Sequence, residues 1–111
     1  MFSRYLFVFS LGLVSLLSCA DDKFETDPCS SVSYVETVRP LVDSKCAIAG
    51  CHVSGFQPGD FTGYEVLKQK AEAGKIQLMV FTLGNMPPTD KLSEVEKSQL
   101  QCWIQSGAQK N

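Results

Sequence analysis

Cysteine content is the feature that most limits how this chain can fold. Five cysteines occur in 111 residues: Cys19, Cys29, Cys46, Cys51 and Cys102. This density indicates either disulfide bonds formed in an oxidising compartment or a cofactor bound through cysteine. A chain of this length is expected to form one domain. Its formal charge of −2, without a block of Lys or Arg, argues against a nucleic-acid partner.

The first 18 residues have the pattern of an export signal, with Arg4 followed by an almost wholly apolar run from Tyr5 to Leu17. This run is shorter than the roughly 20 residues that a membrane-spanning helix needs. The ending Leu16-Leu17-Ser18-Cys19 resembles the lipobox of bacterial lipoproteins, whose cysteine is acylated and becomes the first residue of the mature protein. The resemblance implies removal of residues 1–18 and export to the bacterial cell envelope, with a lipid on Cys19 as the membrane anchor.

The remaining chain divides into a tether and a domain. Residues 19–33 are acidic and polar without helical or strand periodicity, which predicts a tether between the lipid and the domain. Residues 34–111 are predicted to form the globular domain. A domain this small buries little apolar surface, so a covalent cross-link or a large apolar cofactor would help it to fold.

The domain begins and ends with capping patterns. Ser33 and Glu36 form a capping-box pattern before a first helix that leads toward Cys46. Pro40 either kinks this helix or begins a second one at its first turn. Ser93 and Glu96 form a second capping box before the last helix.

The middle of the domain alternates loops with two further helical segments. Tyr64 to Ala73 is predicted as a helix that Gly74 ends, and the apolar run 75–83 is also expected to be helical. Residues 53–63 and 84–90 are rich in turn formers and are predicted as loops. No strand pair with turn chemistry is evident, so the predicted fold class is all-α.

The central motif is Cys46-Ala-Ile-Ala-Gly-Cys51-His52. A c-type haem needs two thiols that each add to a vinyl group, and a histidine directly after the second thiol that binds the iron. The usual motif has two residues between the cysteines, whereas this one has four. Taken alone, the motif is equally compatible with a disulfide between Cys46 and Cys51 beside a surface histidine.

Counting the cysteines supports the haem interpretation. If Cys19 carries lipid, and Cys46 and Cys51 carry haem, then Cys29 and Cys102 remain as a pair. A disulfide between them would tie the start of the domain to its last helix. In the chain-entropy model so long a loop contributes up to ~4 kcal/mol of stability.

A second iron ligand from this protein would have to be a methionine. His52 is the only histidine, and the thioether of methionine is the common alternative to a second imidazole. Met79 lies at core spacing in an apolar run and is expected to pack in the core. Met86 lies in a loop stiffened by Pro87 and Pro88, and it is the predicted ligand.

The domain resembles the short monohaem cytochrome c domains of bacterial envelope proteins over about residues 34–108. The resemblance rests on the 46–52 motif, on Asn85-Met86-Pro87-Pro88, and on the ending from Leu92 to Ala108. It implies a cytochrome c-like fold of three to five short helices around one covalent haem c. It also implies that His52 and Met86 bind the iron, that Trp103 lies near the haem, and that a proline, here Pro58, receives the imidazole N–H.

We expect an apolar haem pocket built mainly from aromatic side chains: Phe56, Phe61, Tyr64, Leu67, Phe81 and Trp103. Iron bound by both His52 and Met86 has no open position, so the expected function is one-electron transfer by a monomer and not catalysis. The ligands and the apolar pocket predict a relatively high reduction potential. The partner would be another redox protein, with a slight preference for a basic one because Asp and Glu outnumber Lys.

Three other interpretations remain open at this point. In the first, Met86 does not bind iron and the protein is a five-coordinate haem enzyme or gas binder. In the second, the protein is a haem-free lipoprotein that acts as a binding module, held by disulfides Cys29–Cys102 and Cys46–Cys51. A zinc site of Cys46, Cys51 and His52 is a weaker third, because the thiols would have to stay reduced outside the cell.

Overall fold

The computed structural model describes residues 27–111. The predicted signal segment, the predicted lipid attachment site at Cys19 and the first part of the predicted tether lie outside the described residues. Within 27–111 the secondary structure is helical and contains no β-strand, in agreement with the predicted all-α class. The elements in chain order are a π-helical turn (Tyr34–Val38), α1 (Arg39–Lys45), α2 (Tyr64–Glu72), a second π-helical segment (Gln77–Thr82) and α3 (Glu94–Gln105). Across 27–111, no helix has the length and apolar character needed to cross a membrane.

The first π-helical turn runs directly into α1. Ser33 caps it, since its Oγ accepts the Glu36 amide at 3.0 Å, but the Ser33 amide donates to Thr37 Oγ1 and so only half of the predicted capping box forms. Pro40 lies in the first turn of α1, where a missing N–H leaves no hydrogen bond unmade. Of the two interpretations of Pro40, the second helix start is therefore the correct one.

α2 and the segment after it follow the predicted pattern. α2 spans Tyr64–Glu72, buries Leu67 and Ala71, and is followed by Gly74 with a φ of +71°, the left-handed conformation that ends many helices. The next segment is helical, as predicted, but its turns are wider than those of an α-helix, and the Leu83 amide bonds five residues back to Leu78 O at 2.8 Å.

α3 begins with the capping box that the sequence predicts. The Glu96 amide donates to Ser93 Oγ at 3.2 Å, and the Ser93 amide donates to Glu96 Oε2 at 2.7 Å. The helix buries Leu100, Cys102 and Trp103, and the chain turns away at Gly107 with a φ of +96°.

The core lies between the first helical elements, α2 and α3. Trp103 is its largest fully buried side chain, and its indole Nε1 donates to Gln109 O at 2.9 Å. The Tyr34 ring lies 5.9 Å from the Trp103 ring and 4.9 Å from the Tyr64 ring, which joins the first helical turn to α2 and α3. The predicted disulfide between Cys29 and Cys102 is confirmed, and it fastens the start of the described chain to α3.

Candidate functional site

An apolar cavity lies where the segment after α1 meets α2, the second π-helical segment and the Met86 loop. Its volume is about 380 Å³, within the range of roughly 300–1,000 Å³ that is typical of small-molecule and cofactor sites. Cys46, Cys51, His52 and Met86 all line it. These are the four residues that the sequence predicts to hold a haem. They line one cavity although the first and the last are 40 positions apart in the chain.

A short closed loop brings the two cysteines of the motif together. α1 ends at Lys45, and the Cys46 amide still donates to Val42 O at 2.9 Å. The His52 amide then donates to Cys46 O at 3.0 Å, which closes the loop, while the intervening residues 48–50 are exposed. The longer spacing is therefore accommodated by a bulge toward solvent. Cys46 and Cys51 are both free thiols.

The His52 ring is held in one orientation. Its Nδ1 lies 2.9 Å from Gly59 O, a carbonyl that can only accept, so Nδ1 carries the proton and the Nε2 lone pair is free. The ring stacks on Phe61 with centroids 4.1 Å apart and meets Phe56 edge-on at 5.0 Å. An imidazole fixed in this way presents Nε2 as the atom that can bind a metal ion.

Gly59, and not Pro58, receives the imidazole N–H. The expectation for Pro58 is therefore corrected by one position, although Pro58 does line the cavity. Gly59 is buried with a φ of +142°, and a Cβ on it would lie 3.0 Å from the Phe61 ring and 3.4 Å from Lys70 Cε. Only glycine leaves room here for the stacked rings and the lysine stem.

Both methionines of the domain line the cavity. Met86 does so as expected, but Met79, which we expected to pack in the core, is also part of the lining. The Met79 carbonyl accepts the amides of Asn85 at 2.9 Å and Met86 at 3.1 Å. The second π-helical segment therefore anchors the Met86 loop and also presents a second thioether.

The aromatic lining is smaller than expected. Phe56, Phe61 and Leu67 line the cavity, whereas Tyr64, Phe81 and Trp103 do not. The Tyr64 hydroxyl donates to Ala108 O at 2.8 Å, and Trp103 packs within the core on the Tyr34 side. Phe81 packs against the core outside the lining. Much of the apolar wall consists instead of aliphatic side chains: Val42, Ile76, Val80, Leu92 and Leu100.

Burial controls the protonation of Cys46. Removal from water raises the pKa of the Cys46 thiol to about 11, and the nearby Arg39 guanidinium offsets this only in part. In residues 27–111, no group of three or more His, Cys, Asp or Glu side chains is arranged to hold a metal ion. This arrangement does not favour the zinc interpretation.

The cavity therefore combines two free thiols, one oriented imidazole and two thioethers within apolar walls. Compared with family models, with curated proteins and with solved structures, the chain matches none, so a functional assignment rests on the residues of this cavity.

Proposed function

We propose that the protein is a c-type cytochrome that carries single electrons, with one haem linked to Cys46 and Cys51 and held through His52. The observation that carries this proposal is the convergence of two free thiols and the free Nε2 face of His52 on one apolar cavity. A binding module held by two disulfides would not need the thiols of Cys46 and Cys51 to stay free inside a cavity.

The donor set and the walls suit a haem. Two thiols are the groups that form thioether bonds to its vinyl carbons, and imidazole and thioether are ligands that hold haem iron in electron carriers. The walls are almost wholly apolar, which matches a largely apolar macrocycle. When bound there, the haem would supply a one-electron couple, and the protein would supply attachment, orientation and electrostatics.

The chain's own residues have separable roles in this proposal. The closed loop of residues 46–52 holds both sulfurs close to the imidazole that follows them. Donation from His52 Nδ1 to Gly59 O increases the basicity of Nε2 and prevents the ring from turning. The stacked Phe61 ring supports the same orientation.

Met86 would be the second residue of this chain to hold the haem iron. Two backbone hydrogen bonds to Met79 O and the flanking prolines restrict the loop that carries it, so little conformational freedom is lost when the thioether binds. A haem held by both His52 and Met86 would leave no place for a substrate, and the chemistry that it would supply is one-electron transfer. The apolar walls favour the less charged reduced centre, which supports the expectation of a relatively high reduction potential.

The first test is covalent attachment. The full chain, produced in a host competent for cytochrome maturation, should have the mass of the processed polypeptide plus one haem and should give a haem-stained band after denaturing electrophoresis. C46A/C51A should lose both signals. The matched control C29A/C102A removes the other cysteine pair and should keep them. A wild-type product without added mass, and with Cys46 joined to Cys51, would contradict the proposal.

The second test concerns the methionines. Carbon monoxide should bind slowly to the reduced wild-type protein and readily to M86A, because only the variant has an open axial position. M79A should behave like the wild type if Met86 is the ligand. Rapid binding to the wild-type protein would instead support the five-coordinate haem enzyme or gas binder.

The proposal also includes a location. The lipobox-like ending before Cys19 supports export to the bacterial cell envelope and attachment through lipid on that cysteine. In a bacterial host, the wild-type protein should be found in the membrane fraction, begin at Cys19 and be heavier than its polypeptide by the mass of the attached acyl chains. A membrane-bound product that begins at Cys19 without this added mass would count against the lipid anchor.

A further inference from the structure

The charged residues that line the cavity are all basic. Lys45, Lys70 and Lys75 belong to its lining, and no Asp or Glu of the described chain does so. This local excess of positive charge occurs in a chain whose formal charge is −2. The charge around the cavity is thus opposite in sign to that of the whole molecule.

The three lysines differ in how far their charge is neutralised. Lys45 Nζ lies 2.6 Å from Asp90 Oδ2, so its charge is largely offset. Lys70 and Lys75 form no salt bridge with any residue between 27 and 111. Asp60, next to Gly59 in the chain, directs its carboxylate to the amide and hydroxyl of Thr62.

Lys70 and Lys75 come from adjoining elements. Lys70 is in the last turn of α2, and its aliphatic stem lies over Gly59. The Gly59 carbonyl accepts the hydrogen bond from His52 Nδ1. Lys75 is exposed and follows directly after the Gly74 turn. Two lysines without a salt bridge among the described residues therefore belong to the cavity lining, and the stem of Lys70 lies over the residue that orients the histidine.

We infer that the mouth of this cavity is a docking surface for an acidic redox partner, with Lys70 and Lys75 as its principal charges. This inference rests on the proposed function and reverses the slight preference for a basic partner that composition suggested. Complementary charge accelerates the encounter of two proteins and orients them, and the effect weakens as salt is added. Redox encounters are small and brief, so a few charges beside the site are sufficient to direct them.

Small redox ions of opposite charge can measure the local potential of the haem-loaded full chain. The reduced protein would lose one electron either to hexacyanoferrate(III), which becomes hexacyanoferrate(II), or to tris(phenanthroline)cobalt(III), which becomes the cobalt(II) complex. The rate constant for the anion should fall by about tenfold between low ionic strength and 0.5 M salt. The rate constant for the cation should rise over the same range.

Two double variants with the same net charge locate the effect. K70Q/K75Q should lose most of the salt dependence with the anion. K97Q/K110Q is the matched control, because Lys97 pairs with Glu94 on α3, Lys110 lies over the Tyr64 ring, and neither lines the cavity. It should retain the wild-type dependence, since the same total charge is removed elsewhere.

Poly-L-glutamate serves as a model of an acidic partner. It should slow oxidation of the wild type and of K97Q/K110Q by hexacyanoferrate(III), and it should have little effect on K70Q/K75Q. Equal salt dependence in the two double variants would overturn the inference. So would an anion rate that does not change with salt, which is the result expected if the haem's own carboxylates neutralise both lysines. A protein without covalent haem would instead fail the earlier mass test, so the two failures are distinguishable.

Discussion

The orientations of single side chains determine what the cavity can bind. Gly59 affects three of them: His52, Phe61 and Lys70. Its carbonyl orients His52, and its missing side chain leaves space for the Phe61 ring and the Lys70 stem. A change at this position should therefore disturb the imidazole without touching any proposed ligand.

We expect G59A to lower the free energy of unfolding by about 1–3 kcal/mol, because a Cβ would meet the Phe61 ring and the φ of +142° is strained for alanine. G55A is the matched control: Gly55 has a φ of +86°, is exposed, and a Cβ there would meet nothing within 4 Å. Urea unfolding of both variants isolates the contribution of the crowded contact. Equal losses would show that the contact with Phe61 is unimportant.

The buried thiol of Cys46 predicts a pH dependence for the haem-free protein. Its pKa is about 11 in the fold, against 9.0 for an unperturbed thiol, so the unfolded chain loses the proton first as pH rises. Between about pH 9 and 11 the folded state holds more protons than the unfolded state, and stability should fall with rising pH. Urea unfolding at pH 8 and pH 10.5 should reveal a steeper fall for C51A, which keeps Cys46, than for C46A. Parallel pH profiles would contradict the assignment.

At the scale of secondary structure, a capping box stabilises the start of α3. The reciprocal hydrogen bonds between Ser93 and Glu96 satisfy two amides at the start of α3, the helix that carries Cys102 and Trp103. S93A should lower the free energy of unfolding by about 1 kcal/mol. S98A, at an exposed interior position of the same helix, should be neutral or slightly stabilising because alanine is the better helix former. Thermal unfolding of the two variants would measure the difference.

α2 and α3 were predictable because their signals are local: Gly74 ends one, and Ser93 with Glu96 begins the other. The π-helical turns were not predictable, since bonds such as Leu83 N to Leu78 O depend on how the segment packs. Residues Leu78 to Phe81 are all apolar, so periodicity does not show which of them face the core and which face the cavity. The position of Met79 in the cavity lining was therefore not predicted.

In a domain this small, one disulfide that closes a long loop contributes a large share of the free energy of unfolding. The Cys29–Cys102 disulfide joins residues 73 positions apart, for which the chain-entropy model gives about 4 kcal/mol. C29A/C102A should therefore lose about this much free energy of unfolding, measured by urea titration of the haem-free protein. C46A/C51A removes two thiols that form no bond and is the matched control. A smaller loss in C29A/C102A than in the control would contradict the model.

The positions of Cys46, Cys51, His52 and Met86 at one cavity were predictable from chemistry. A haem of the c type requires two thiols and a histidine, and a second iron ligand in this chain has to be a methionine. The charge around the cavity was not, since composition averages over the whole surface and cannot tell which side of a helix carries Lys70. The absence of Tyr64 and Trp103 from the cavity lining has a related reason. Aromatic residues indicate burial, but the Tyr64 hydroxyl and the Trp103 indole are used at Ala108 and Gln109 on the other side of the core.

The fold contains one bridged and one unbridged pair of cysteines. These four cysteines can form two disulfides in three ways, and only one of the three includes the bond between Cys29 and Cys102. An oxidant strong enough to form that bond can also join Cys46 to Cys51, which would remove the thiols that the proposed haem attachment uses. If the proposed function holds, maturation has to oxidise one cysteine pair and keep the other reduced, and the order of the covalent steps determines whether haem can be attached.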